Sequence, residues 1–403
     1  MNQPEKTVLM TGVTGFIGSY LAAAFLQRGT RVVALTRNDK NGERTRAAIE
    51  TALHQDRAAA ESIEFNHQLL VLPYDIDNVR EHHLMLLASV DEVWHCAAEM
   101  SFSPRKLESS FQSNVGFTND LYRMVADTAA SCRRFFYVST AYTGGAQAGV
   151  KHEVLHHQPQ LINPYQVTKW STEMSLATQV MGGAKLPVTL FRPAVVIGDT
   201  RTGYYPGSPF GIYMYFQALR AVKKLGAEKL KVDLDLESVL QLVPIEVLIA
   251  NAMALSEREQ SGLAQDLLPL EIYHVTGQAV KNAVTLSSGK RVVNLKVETG
   301  EPETTFDFYA DKICSWVKRF GNSQIQFDDS KLKSVLGAAY VPTLMGETEF
   351  DTLFQWYTEH LNTQTAPSKS DSVWKQQLGL KFIDRVTNKD QKQRIAGYML
   401  RRR

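Results

Sequence analysis

The stretch Thr7-Val8-Leu9-Met10-Thr11-Gly12-Val13-Thr14-Gly15-Phe16-Ile17-Gly18 decides the fold class. Residues 7–10 form an apolar run too short for a helix and bounded by turn residues, so they read as a buried strand. The run passes directly into Gly-x-x-Gly-x-x-Gly, and residues 17–28 beyond it carry apolar side chains at helical spacing. Glycines between a strand and a helix start let backbone amides approach a pyrophosphate, whose charge the helix N-terminus favours. A glycine triplet alone also fits a plain tight turn. Its position inside the first strand–helix unit is what favours a dinucleotide.

Outward from this unit, short apolar runs recur at 31–35, 69–72, 92–95, 135–138 and 188–191, while 78–88, 105–130 and 164–180 carry apolar residues three and four apart. Strands alternating with helices imply an α/β chain with a parallel, doubly wound Rossmann sheet. Residues 38–65, rich in Ala, Arg and Glu, exceed what a crossover needs and predict an extra surface helix. After Gly198 the rhythm changes to aromatics over 204–216 and a basic stretch at Lys223, Lys224, Lys229 and Lys231. A helix over 245–256 and a strand over 272–275 predict that this smaller C-terminal substrate domain is partly interleaved with the sheet. The expected division is 1–200 for the cofactor-binding domain, 201–365 for the substrate region and 366–403 for a tail, joined by a polar linker at 363–372.

Composition agrees with two globular domains. The chain has 403 residues, 44% hydrophobic and 21% charged, which excludes a disordered or fibrous protein. A net charge of +2 excludes nucleic-acid binding by the body of the protein. The three cysteines, Cys96, Cys132 and Cys314, lack metal-ligand spacing and read as reduced thiols. Neither a signal-peptide pattern at the start nor a run of about 18 apolar residues is present, so a cytoplasmic location is expected, at most peripheral at a membrane.

The second strand ends Leu35-Thr36-Arg37, where an NAD-preferring fold would place an acidic residue on the ribose. A guanidinium there suits a 2′-phosphate, so NADPH is the expected cofactor. Asp75, after the third strand, suits either the adenine edge or a turn cap. Farther on, Tyr165-Gln166-Val167-Thr168-Lys169 follows Ser139-Thr140 at the end of the fifth strand. A tyrosine and lysine four apart share one helix face, and a nearby ammonium favours the phenolate. One of the two hydroxyls can hold a substrate oxygen; counted from the strand, Thr140 is preferred over Ser139.

These motifs, together with His95-Cys96-Ala97-Ala98, Asn114-Val115 and Phe191-Arg192-Pro193, resemble the extended short-chain dehydrogenase/reductase superfamily over roughly residues 6–360. Tyr165-x-x-Thr168-Lys169-Trp170-x-x-Glu173 and Arg192-Pro193-Ala194-Val195-Val196-Ile197-Gly198-Asp199 look most like its thioester reductase and fatty acyl reductase branch. The resemblance implies NADPH-dependent reduction of an acyl thioester to an aldehyde or onward to an alcohol, with Thr140, Tyr165 and Lys169 catalytic. It implies cofactor contacts at Gly12, Thr14, Gly15, Phe16, Ile17, Gly18, Arg37, Asp75, Ile76, Ala97, Ala98, Asn114, Lys169 and Pro193. No adenylation or carrier domain accompanies the pattern, so acyl-CoA or an acyl carrier protein would deliver the substrate in trans. An epimerase or dehydrogenase on a sugar nucleotide or ring alcohol is the alternative, and a non-catalytic cofactor sensor a further one.

Several features point elsewhere or nowhere. His152, His156 and His157 lack a third ligand, His82-His83 has no metal partner, and Cys96 reads as packing, so no metal is expected. Tyr204, Tyr205, Phe210, Tyr213 and Phe216 are read either as an acyl channel or as the small domain's core. From Ala366 onward ten Lys/Arg oppose three Asp/Glu. With Trp374, Leu378, Leu380, Phe382, Ile383, Ile395, Met399 and Leu400, that charge suits an anionic membrane, an acidic carrier protein, or docking on the parent domain. A homodimer is left open.

Overall fold

The computed structural model describes residues 6–53, 63–207, 210–260, 268–315, 317–364, 380 and 384–401. The chain divides into two compact units, the first drawn from Met1–Val196, Val243–Gly277 and Phe327–Thr343. Its centre is a seven-stranded sheet. Numbered in chain order, the strands are β1 (Thr7–Thr11), β2 (Arg31–Thr36), β3 (Leu69–Pro73), β4 (Glu92–His95), β5 (Arg134–Val138), β6 (Val188–Pro193) and β7 (Leu270–Val275). Their spatial order is β7-β6-β5-β4-β1-β2-β3, and every neighbouring pair is parallel. The order reverses between β1 and β4, and the crevice beyond their carboxyl ends is where such a sheet holds ligands.

Helices cover both faces, which is why the strands read as continuous apolar runs and not as alternating ones. On one face Trp94 stacks on Phe136 at 4.2 Å and meets Phe25 of the helix Phe16–Gln27. On the other, Phe135 meets Tyr122 of the helix Phe117–Thr128 edge-on at 5.4 Å. The expected helix over 105–130 is not one rod. It runs through a 3-10 turn, the short helix Leu107–Phe111 and a π-helical turn Gln112–Gly116 before Phe117–Thr128. Residues 78–88 likewise split into Ile76–His82 and Leu84–Ala88, because His83 leaves helical geometry at φ −128°. Within the long insert, Glu43–Leu53 forms the predicted helix, and residues 54–62 lie outside the described ones. The 272–275 strand joins the sheet as β7, beside β6, so the later chain does return to it.

The second unit draws on Ile197–Leu242, Gln278–Gln326 and Leu344–Arg403. Its core gathers Leu219, Val222, Leu286, Tyr309 and Ala396. The aromatics of 204–216 belong to packing: Tyr205 stacks on Tyr213 at 3.8 Å and Phe216 on Phe354 at 4.4 Å, while Tyr204 meets Trp356 edge-on. Their faces are spent on one another and on the helix Glu347–Gln364, which argues against a channel lining. The basic tail is also anchored here. Asp384 accepts from Thr305 N at 2.7 Å, and the helix Lys389–Arg401 buries Ala396. Trp374, Leu378, Phe382 and Ile383, and most of the 363–372 linker, lie outside the described residues.

Candidate active site

Gly12 leaves β1 with φ +72°, and a Cβ there would lie 2.6 Å from Ala97 N, so only glycine lets the loop rest against the end of β4. Gly15 N–H donates to Gly12 O at 2.9 Å and closes the turn. Gly18 faces back onto the Gly12 carbonyl with no room for a side chain. The helix Phe16–Gln27 then starts without a side-chain cap and without an acid in its first turn, so its N–H groups and dipole are uncompensated by the protein. Thr14 and Gly15 are exposed, Phe16 and Ile17 half-buried, on this loop.

At the end of β2 the Thr36 hydroxyl is buried without a hydrogen-bond partner. Arg37 is exposed beside it, its guanidinium 5.7 Å from the Tyr74 ring. A second guanidinium, which sequence reasoning passed over, arrives from the insert helix: Arg44 Nη1 donates to Arg37 O at 3.2 Å. The neighbouring acid, Asp39, is spent on that helix, accepting from Thr45 N at 2.9 Å, Thr45 Oγ1 at 2.6 Å and Arg44 N at 3.1 Å. Asp75 takes the capping role, accepting from Asn78 N at 3.1 Å, with Ile76 opening that helix. The glycine cradle, the open helix start and the orphaned Thr36 hydroxyl fit a nicotinamide dinucleotide.

A buried polar thread joins this loop to the long helix Pro164–Met181. Ala97 N–H donates to Thr11 Oγ1 at 3.2 Å, and Thr11 Oγ1 lies 2.6 Å from His95 Nδ1. His95 Nε2 lies 2.8 Å from Thr118 Oγ1, whose hydroxyl donates to Asn114 O. Burial, with the Lys169 charge nearby, pushes the His95 pKa down to about 3. The ring is therefore neutral, and the bonds assign its proton to Nε2. Asn114, inside the π turn, grips Glu99 twice, accepting from its N–H at 2.7 Å and donating to its carbonyl at 3.0 Å. Its Nδ2 also donates to Thr168 Oγ1 at 3.0 Å. Ala98 lies between this clamp and the Gly12 contact.

Pro164 at N1, with the Asn163 side chain accepting from Gln166 N, starts the helix that carries Tyr165 and Lys169. Lys169 Nζ donates to Val138 O at 2.6 Å, and burial lowers its pKa to about 8. Burial raises that of Tyr165 well above the phenolic range, against the expectation that Lys169 would favour the phenolate. The Thr140 hydroxyl accepts from Tyr142 N at 3.3 Å and reaches Pro193 O at 3.5 Å, and it lies close enough to Tyr165 to favour the phenolate against the effect of burial. Ser139 points elsewhere: its hydroxyl donates to Glu173 Oε1 at 2.6 Å. Sequence reasoning left Glu173 and Arg192 without roles, although Glu173 continues the four-residue spacing of Tyr165 and Lys169.

The remaining candidates lie apart from one another. His156 meets Arg192 Nη1 at 3.2 Å, while His152 pairs with Asp328 at 2.9 Å. No group of three His, Cys, Asp or Glu with metal-ligating geometry occurs among the described residues. The Cys96 thiol is pushed up to about 12 by burial, which makes it a poor nucleophile. No helix among the described residues is long and apolar enough to cross a membrane.

Residues 10–253, more than half of the chain, match the family model described as male sterility protein. Fatty acyl-CoA reductase 1 of Mus musculus is 26% identical over 285 residues, covering 58% of this chain and 54% of that one. The chain thus spans about half the length of the curated relatives it matches. Among solved structures, the terminal R domain from the myxalamid PKS-NRPS biosynthetic pathway aligns with a TM-score of 0.69 at 20% identity, covering 91% of this chain and 94% of that one. UDP-glucuronic acid 4-epimerase from Bacillus cereus aligns at 0.61 and 18%, covering 88% and 99%. These two likenesses establish the fold.

Proposed function

The chain belongs to the male sterility protein family, within the fatty acyl reductase branch of the extended short-chain dehydrogenases/reductases, and on that premise we propose that it reduces an acyl thioester to an aldehyde with NADPH. The observation that carries the reading is the Thr140 hydroxyl beside Tyr165, one helical turn from Lys169, whose ammonium is fixed on Val138 O at the end of β5. Bound in the glycine cradle, the cofactor supplies hydride to the thioester carbonyl. Thr140 and Tyr165 hold the carbonyl oxygen, and Tyr165 passes its proton to it as charge develops. A phenol kept protonated by burial is in the correct state for a reduction. Lys169, still mostly protonated near neutral pH at a pKa of about 8, orients the ribose and offsets the phenolate left behind. The hemithioacetal formed then collapses, expels the thiol and leaves the aldehyde; the same groups serve a second reduction to the alcohol.

Arg37 and Arg44 converge where a 2′-phosphate would lie, and Asp39 is occupied elsewhere, which supports NADPH over NADH. The acyl group arrives on CoA or on a carrier protein. The test is NADPH oxidation against a panel of acyl-CoA and acyl-carrier thioesters, with released thiol titrated in parallel. Thiol release in step with oxidation, lost in Tyr165→Phe, is expected. Turnover confined to sugar nucleotides or ring alcohols would overturn the thioester reading.

A further inference from the structure

Glu173 lies eight residues after Tyr165 and four after Lys169, so the three occupy one stripe of the helix Pro164–Met181. Three consecutive residues at the end of β5 meet that stripe. Val138 O accepts from Lys169 Nζ at 2.6 Å, the Ser139 hydroxyl donates to Glu173 Oε1 at 2.6 Å, and the Thr140 hydroxyl lies beside Tyr165. From β6, Arg192 forks onto the same carboxylate, Nε to Oε1 at 2.8 Å and Nη2 to Oε2 at 2.7 Å, with both side chains completely buried. The third guanidinium corner, Nη1, donates to Val154 O at 2.9 Å and to His274 Nε2 at 3.3 Å.

Apolar residues of similar volume often replace a buried ion pair without loss of stability, so stability alone does not account for this one. Its location behind the reacting groups does. We propose that Glu173, clamped by Arg192, is a positioning residue: by engaging Ser139 it sets the register of residues 138–140 that presents Thr140, and not Ser139, to the substrate oxygen. The inference rests on the hydride-transfer reading of this site, in which Thr140 and Tyr165 share that oxygen.

The carboxylate also acts through space. Its charge raises the proton affinity of both Tyr165 and Lys169. The other groups around them are His95 on β4, Cys96 beyond it, Tyr137 on β5, Arg192 on β6, His274 on β7 and His156 from the loop before the helix. Burial holds all three histidines neutral, with pKa values of about 3, and raises the Cys96 thiol to about 12. Besides the Lys169 ammonium, the ion pair of Glu173 and Arg192 is therefore the charge that acts on Tyr165, and Glu173→Gln leaves Arg192 unopposed.

The experiment is a kcat–pH profile of the full chain carrying Glu173→Gln, Ser139→Ala, or Glu173→Met with Arg192→Leu. Glu173→Gln is expected to lower kcat about tenfold with the cofactor KM within about twofold, and to move the high-pH limb toward acid by about one unit. Ser139→Ala, which removes the same engagement, should lower kcat about as much as Glu173→Gln, far less than Thr140→Ala, and leave the limb in place. The double variant, which removes both charges, should restore the limb while kcat stays low. An unmoved limb in Glu173→Gln, wild-type kcat in the double variant or in Ser139→Ala, or a Ser139→Ala loss equal to that of Thr140→Ala would each overturn the proposal. If Glu173→Gln fails to fold, the other two variants decide it. The profile requires only a carbonyl compound that the wild type reduces, so inactivity on thioesters would count against the substrate reading and leave this test intact.

Discussion

Asn114 Nδ2 donates to Thr168 Oγ1 at 3.0 Å, across 54 residues of sequence, and couples the π turn to the helix that carries Tyr165 and Lys169. The same carboxamide holds Glu99 through two hydrogen bonds, so a single side chain sets the loop beyond β4 against the helix. Asn114→Ala leaves the Glu99 amide and carbonyl and the Thr168 hydroxyl short of a partner. A stability loss of about 2–3 kcal/mol is expected from the buried groups left unmet. Urea unfolding measures it, and an unchanged midpoint would remove Asn114 from this role.

Thr140 and Tyr165 are expected to act on one oxygen. Thr140→Ala should lower kcat about a hundredfold, in the range of a lost oxyanion donor, while Thr140→Ser keeps most of the activity. Tyr165→Phe should abolish turnover yet bind nucleotide nearly as well as the wild type, as fluorescence titration would report. Strong residual turnover in Tyr165→Phe would transfer the proton to another group.

Cofactor choice is expected to reside at one corner of the crevice. Arg37→Asp removes a charge-assisted contact and adds repulsion, so NADPH should weaken at least about tenfold and NADH much less. Arg44→Ala should show the same preference with a smaller effect. Equal losses for both nucleotides in Arg37→Asp would mean that neither arginine reads the 2′-phosphate.

Acid should destabilise the first unit through its buried histidines. His95 and His274 are held neutral, with pKa values pushed down to about 3 against an ordinary value of 6.5. A depressed folded pKa means that the folded state binds fewer protons between these limits. The stability is complete above pH 6.5 and is lost as pH falls toward 3, at a slope approaching about 1.4 kcal/mol per pH unit for each group. Urea midpoints between pH 7 and pH 5 should fall less steeply in His95→Gln than in the wild type. Parallel slopes would refute the assignment.

The C-terminal helix is expected to be a structural part of the second unit. Asp384→Ala removes the acceptor of Thr305 N and should cost about 1 kcal/mol, as a lost N-terminal partner does. Ala396→Asp, placing a charge at a fully buried position, should cost more and lower the thermal midpoint further. Unchanged melting in both, combined with lost binding to anionic vesicles at low salt, would instead mark the tail as a docking arm.

Much of the sheet was legible because its signals are local. A strand buried on both faces announces itself as a short apolar run, and β1 to β6 begin within a residue or so of the runs that predicted them. The stretch 105–130 was legible as helical, but not its division, because apolar periodicity persists through the π turn. What breaks the regular pattern there is the Asn114 carboxamide bonding to Glu99 and Thr168, and no spacing rule encodes that. Arg44 was missed for a similar reason. It stands seven residues from Arg37, in an insert that looks like surface helix, and only the fold of that insert returns it to the end of β2.

The amino-acid sequence by itself determined the doubly wound sheet, the glycine turn at its first crossover, and the Tyr165–Lys169 pair on one helix face, since each depends on residues within a few positions of one another. It left Ser139 and Thr140 equivalent, because both follow the end of β5 and the partner that each meets is not written between them. Tertiary structure gave Ser139 its partner by bringing Glu173 from the helix, held by Arg192 from β6, to its hydroxyl. A buried carboxylate must satisfy its lone pairs, and it takes the Ser139 hydroxyl to do so, leaving Thr140 to Tyr165.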